Sequence, residues 1–314
     1  MSPTSYQLLH SAILDDKDTA MNKSRSSFFS QLFYSKPLTF AAMEPRSWLS
    51  YHLYPQETLD VFLIRGLRPF MEQYVWPKQG ARAFFIRYHD EQGEHVRLRL
   101  NALSEEWMQA IPETVQEWFA QRSVIREVAY HASSDLFRTP DGLYWAEEHF
   151  HLSSRVVLER MYATYTYGDA LFDALRLHVI AAYAAGWSRE QGANYFGRLC
   201  DRWAPLFIVP TKTSNGTPEH WVEDLKTAFE DAFRPQQEEI RFAVVELWES
   251  LHKSRFDTQQ PEWLRWLRGS ELIFKQLGES LEPALPSLIH LTNNRLGVTN
   301  ADEVYLAYIL SKAL

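Results

Sequence analysis

Two alternating runs joined by a tight turn constrain this chain more than any other feature. They are "ARAFFIRYH" (81–89), "DEQG", and "EHVRLRLNA" running to Ala102. A strand turns successive side chains to opposite faces, so the second run sends Val96, Leu98 and Leu100 one way and His95, Arg97 and Arg99 the other. The polar, glycine-ended connection predicts an antiparallel hairpin. Such a hairpin buries one face and leaves a cationic face to be accounted for. The pattern alone leaves two readings open. One is a solvated sheet face. The other is an anion site, because side chains two apart on a strand lie roughly 6–7 Å apart. Arg97 and Arg99 would then hold a carboxylate or phosphate by forked, charge-assisted hydrogen bonds. His95 would exchange a proton near neutral pH. Adjacent like charges repel unless something negative lies between them, and no carboxylate is interleaved here.

Further elements extend the hairpin. "SWLSYHLY" (47–54) alternates and is rich in aromatics, which predicts a strand. A helix opens at Pro55, with Leu59, Phe62, Leu63, Leu67 and Phe70 at helical spacing. Ser104 caps a second helix, and "VIREVAYHA" (124–132) predicts a fourth strand. The order β-α-β-β-α-β is the split arrangement of ferredoxin-like domains. The expected class is therefore α+β, a small antiparallel sheet followed by a helix-rich half. Residues 1–44 read as a partly ordered arm. Residues 45–314 read as a single domain with an α+β half (45–135) and a helical half (136–314). In the latter, Ser188 and Gln191 have capping-box spacing, and Thr217 with Pro218 marks another helix start. Later helices are expected near 235–253, 261–279, 282–294 and from Asn300.

Composition excludes several classes. The net charge is −8, so a general nucleic-acid surface is not expected. Cys200 is the one cysteine, which removes disulfide frameworks, cysteine-rich zinc sites and CxxC redox pairs. No apolar run approaches the roughly 20 residues that a membrane span requires. A cytoplasmic location is the expectation. No G-x-G-x-x-G, P-loop or G-x-S-x-G motif is present, and no cofactor is expected.

Two other constellations carry polar chemistry. "SLIHLTNNRLGV" puts His290 and Asn294 four apart on one helix face, with Arg295 beside them and Gly297 as a C-cap. This is either a site or an ordinary helix end whose cations favour the negative dipole pole. Glu147 and His151 also share a helix face, but no third metal ligand is evident, and they read as a surface helix face.

"SWLSYHLYP", "RAFFIRYHDEQGEHVRLRL", "AEEHFHLSSRVVLERM" and "HLTNNRL" occur in this order. In that order the sequence resembles the C-terminal domain of lantibiotic dehydratases, the thiopeptide-type bacteriocin biosynthesis domain. The resemblance runs from about Trp48 to the last helix. It implies a peptide-modifying lyase that eliminates glutamate from glutamylated Ser or Thr of a ribosomal precursor peptide, giving dehydroalanine or dehydrobutyrine. It implies two partners, the precursor peptide and a separate glutamyl-tRNA-dependent glutamylating protein, and suggests a homodimer by analogy. Arg97, Arg99 and His290 match the family's catalytic positions. Arg87, His95, Asn294 and Arg295 lie in the same motifs and would contact substrate. The family's E-x-x-R-Y-G-G motif is replaced by "YHASSDLFRTPDGLYWAEEHF". That leaves Arg138 as the candidate for its arginine and Tyr130 and Tyr144 as hydrogen-bond donors. It also keeps two alternatives: a pyridine synthase performing a formal [4+2] cycloaddition with loss of the leader peptide, and a non-catalytic leader-binding scaffold.

Overall fold

The computed structural model describes residues 47–130, 140–207, 218–253 and 260–314. The expected N-terminal arm, Thr217 and Arg138 lie outside these residues. The described chain is mixed, largely helical, with one four-stranded antiparallel sheet. It separates into two compact units, one of residues 47–165 and 268–297, the other of residues 166–267 and 298–314.

The first unit carries the sheet, ordered β2-β3-β1-β4 from β1 (Leu49–Pro55), β2 (Arg82–Asp90), β3 (Gly93–Asn101) and β4 (Ser123–Glu127). The hairpin forms as its alternation predicts, with Tyr88 opposite His95 and Phe84 opposite Arg99. Gly93 at the turn takes φ 114°, a conformation that side-chain-bearing residues resist. The apolar face is fully buried at Tyr51, Leu53, Phe85, Val96, Leu98 and Leu100. Each such Leu, Val or Phe burial contributes about 1.5–3 kcal/mol. Helix α1 runs Leu59–Phe62, Leu63–Leu67, Arg68–Phe70 and Met71–Val75, alternating α and π turns, and lies against β3. Helix α2 (Glu105–Phe119), capped by Ser104 accepting from Trp107 N, lies against β4. Phe62 and Phe70 of α1 meet Phe119 of α2.

Two sequence expectations need correction here. Pro55 ends β1, opposite Ser123, rather than opening α1. It sits beyond the last β1–β3 pair, Leu53 with Val96, where a missing N–H costs that ladder nothing. β4 stops at Glu127, not 132, because Tyr130 leaves the sheet and donates to Glu147 Oε1 at 3.1 Å.

Helix α3 (Pro140–Arg160) packs on β2. Helix α8 (Pro261–Leu277) approaches α3 so closely that a Cβ on Gly269 would stand 2.5 Å from Leu152 Cδ2. Helix α9 (Leu281–Leu296) packs on α3 and β2 and ends at Gly297 with φ 83°, the expected left-handed C-cap.

The second unit is helical: α4 (Tyr167–Ala184), α5 (Arg189–Phe207), α6 (Pro218–Phe233), α7 (Gln237–His252) and α10 (Asn300–Ala313). Ser188 and Gln191 form the expected capping box, each backbone N–H reaching the other's side chain. Helix α10 starts at Asn300 as expected, and its cap is Thr299 with Asp302. Glu303 is buried.

Candidate active site on the cationic sheet face

The odd positions of β3 and their neighbours form one polar face. Strand pairing sets Arg99 opposite Ser50 and Phe84, Arg97 opposite His52 and Ile86, and His52 in turn opposite Arg126 of β4. Arg97, His52 and Arg126 therefore make one row across three strands.

Arg97 is half-buried. Its guanidinium carbon lies 3.3 Å from the Tyr88 ring centroid, and its Nε donates to His95 Nε2 at 3.3 Å. His95 is fully buried, with Nδ1 3.3 Å from the Gly93 carbonyl and 3.8 Å from Asp90 Oδ2. With Nε2 accepting, the proton belongs on Nδ1. Burial lowers the His95 pKa, so the neutral ring prevails. Tyr54 donates to Asp90 Oδ2 at 2.9 Å and anchors that end of the face.

Arg99 is 8% exposed. Its Nη1 donates to the Leu98 carbonyl, its Nε is buried without a partner, and its guanidinium lies 5.4 Å from the Tyr130 ring. Burial, aided by Arg97, pushes its pKa down to about 10, still cationic at neutral pH. Neither Arg97 nor Arg99 has a carboxylate within ion-pair distance among the described residues. Tyr130 covers Arg99 from the aromatic end, packing near Trp48 and Phe84, and burial next to Glu147 raises its pKa.

His52 escapes a reading of β3 alone. Its ring centroid is 4.9 Å from that of His95. Burial and the surrounding cations, Arg97 foremost, push its pKa down to about 4. The alternation of Ser50, His52 and Tyr54 marks one face of β1, but only strand pairing shows that this is the arginine face.

The other candidate residues gather at the β2 edge. The outward N–H groups of this edge strand meet helix side chains. Ala83 N pairs with His151 Nδ1 at 3.1 Å, Phe85 N donates to Ser154 Oγ at 3.1 Å, and Arg87 N donates to Asn294 Oδ1 at 3.0 Å. Asn294 Nδ2 also donates to the Arg87 carbonyl, so its amide completes the ladder as a strand would. Arg295 is fully buried, its Nε donating to Ser154 Oγ and its Nη1 to the Leu291 carbonyl. Arg87 pairs with Val96, placing its side chain on the face opposite Arg97. There it donates to the Arg295 carbonyl at 2.9 Å and to Asp60 at 2.6 Å. The guanidinium presses on Gly297, where a Cβ would meet it at 3.1 Å.

Of the sequence candidates, the fold thus brings Arg97, Arg99, His95 and Tyr130 together. It assigns Arg87, Asn294 and Arg295 to the joint between β2 and α9. His290 lies one turn before Asn294 on α9 and is partly exposed. Cys200 is buried, which pushes its thiol up to about 11 and keeps it protonated. The described residues hold no cluster of three or more metal-binding side chains, and no helix among them is long and apolar enough to cross a membrane. What the sheet face offers chemically is two arginines for an anion and a neutral imidazole between cations.

The fold resembles several solved proteins. Pyridine synthase TbtD from thiomuracin biosynthesis superposes with a TM-score of 0.63 at 14% identity, over 85% of this chain and 97% of TbtD. TsrL gives 0.54 at 13%, over 85% and 94% of the two chains. The tRNA dependent lantibiotic dehydratase MibB from Microbispora sp. 107891 gives 0.53 at 18%; the match covers 88% of this chain and 29% of MibB. No curated protein matches the sequence. The family described as "Lantibiotic biosynthesis dehydratase C-term" matches residues 48–314. With most of its length so matched, the chain belongs to the lantibiotic biosynthesis dehydratase C-terminal family.

Proposed function

We propose that the protein is a peptide-modifying lyase that eliminates glutamate from glutamylated Ser or Thr of a ribosomal precursor peptide. One observation carries this reading. Arg97 and Arg99 share a half-buried face and have no carboxylate partner among the described residues. Two cations held together in this way favour an anionic ligand. An esterified glutamate brings a carboxylate, and its departure creates another. In the reaction the Cα–H bond breaks and its electrons form the Cα–Cβ double bond. The Cβ–O bond breaks, and glutamate leaves as a carboxylate. Arg97 and Arg99 bind the glutamyl group and stabilise the charge that develops. His290 and Arg138 are the family-derived candidates for acid–base and anion-binding roles. A separate protein would supply the glutamylated peptide. The β-α-β-β-α-β order, with strands ranked β4-β1-β3-β2, supports the ferredoxin-like reading of the scaffold.

The test is incubation with a glutamylated precursor peptide. Mass spectrometry is expected to show loss of glutamic acid and a new dehydro residue, and an unchanged peptide would refute the reading. A second reading, pyridine synthesis, draws support from the nearly full-length likeness to TbtD. A peptide carrying two dehydroalanines separates the two activities, because the cycloaddition gives a pyridine chromophore and a released leader.

A further inference from the structure

Resting on the elimination reading, we infer that His52 is the base that removes the α-proton of the esterified residue, flanked by Arg97 and Arg126 as carboxylate clamps. The strand register carries the argument. β3, β1 and β4 align Arg97, His52 and Arg126 in one row, with His52 directly opposite each arginine. Paired residues stand about 4.5–5.5 Å apart, which sets the two arginine backbones on the order of 10 Å apart with the imidazole between them. The esterified glutamate has one carboxylate before reaction and gains a second as the Cβ–O bond breaks. A row of cation, base and cation matches that progression.

Hydrogen bonding separates His52 from its neighbour. The Nε2 lone pair of His95 is engaged by Arg97, its Nδ1 faces the Gly93 carbonyl, and the ring is fully buried. His52 is half-buried and makes no hydrogen bond among the described residues, so its nitrogens are open to substrate. The charged and titratable groups around it are Arg97, Arg99 and His95 from β3, Asp90 from the end of β2, Arg126 from β4, and Tyr54 on its own strand. Arg126 lies over Tyr54 at 5.5 Å and has no ion-pair partner among the described residues. Burial and the β3 cations keep His52 neutral, the form a base requires. A carboxylate bound at Arg97 offsets part of that cationic field, so the base strengthens when substrate is in place. After proton transfer, the imidazolium returns its proton to water and glutamate departs.

The experiment compares wild type, His52→Asn and His52→Gln on the glutamylated peptide. A second peptide, with glutamate amide-linked to diaminopropionate, binds without eliminating. The expected result is a kcat loss of about 10²- to 10⁴-fold in the variants, with unchanged affinity for the amide peptide and a residual rate that climbs with hydroxide. Wild-type turnover with undiminished turnover in either variant overturns this inference and leaves the elimination reading intact. Parallel loss of amide-peptide binding also overturns it, because His52 would then only position substrate. Should both variants unfold, ring NMR of the wild type decides. The His52 pKa must rise by about one unit or more when the amide peptide binds, and an unmoved value overturns the assignment. A wild type that leaves the glutamylated peptide untouched overturns the elimination reading and the base with it.

Discussion

His52 of β1 stands directly opposite Arg97 of β3, and neither side chain has a carboxylate within ion-pair distance among the described residues. A guanidinium without a carboxylate partner beside a neutral imidazole is well suited to receive an anion.

Replacing Arg97 tests the anion site. Arg97→Ala is expected to lower kcat/KM for elimination by about 10²- to 10³-fold, the usual cost of removing one donor aimed at developing charge. Arg97→Lys should recover little, because an ammonium cannot reproduce the guanidinium fork or its stacking on Tyr88. Steady-state kinetics beside circular dichroism would check this. Full activity in Arg97→Ala would remove Arg97 from the site.

Asn294 is expected to govern stability. Asn294→Ala leaves the N–H and carbonyl of Arg87 without their partners. The loss should be about 2–4 kcal/mol, from two unsatisfied backbone groups, read by urea denaturation. Turnover per folded molecule should stay near wild type. Reduced turnover at unchanged stability would instead place Asn294 against substrate.

His151 supplies a pH dependence. Burial, opposed by its contact with the Ala83 backbone, pushes its pKa down to about 4 in the folded protein. The unfolded chain therefore binds more protons between roughly pH 6.5 and 4, and stability falls as pH drops through that window. The contribution is up to about 3 kcal/mol, fully present above pH 6.5. Denaturation midpoints across pH 4–7 should be flatter in His151→Asn, and equal slopes in the two proteins would contradict the assignment.

Gly269 marks a tight helix crossing. Gly269→Ala drives a methyl group into Leu152 and should destabilise by about 1–3 kcal/mol. Leu152→Ala opens space at the same point, so the double variant should be more stable than the sum of the single effects predicts. Additive losses in a double-mutant cycle would show that the two residues do not compete for this space.

The elements with strong local signals were legible in the sequence. The hairpin followed from its alternation and turn, α2 from Ser104, and the start of α5 from Ser188 and Gln191. Registers between distant strands were not, because pairing depends on segments far apart in the chain. Local pattern therefore does not single out His52 and Arg126, although each alternates onto the right face. The motif around Asn294 and Arg295 was visible as polar residues on an apolar helix. Their engagement with Arg87 and Ser154 is a property of packing, which no local spacing encodes. The same limit explains β4, whose pattern continues past Glu127 while Tyr130 turns away to Glu147.

The contact between Arg87 and Asn294 spans 207 residues of sequence. The hairpin can pair as soon as both its strands emerge from the ribosome, yet the outward amide of Arg87 lacks its Asn294 partner until α9 has been synthesised. Throughout that interval a strand edge is exposed to neighbouring nascent chains. Closure at Asn294 is thus a late, long-range event, and slow folding with a risk of edge-to-edge aggregation is the kinetic cost of sealing a sheet with a helix encoded so far downstream.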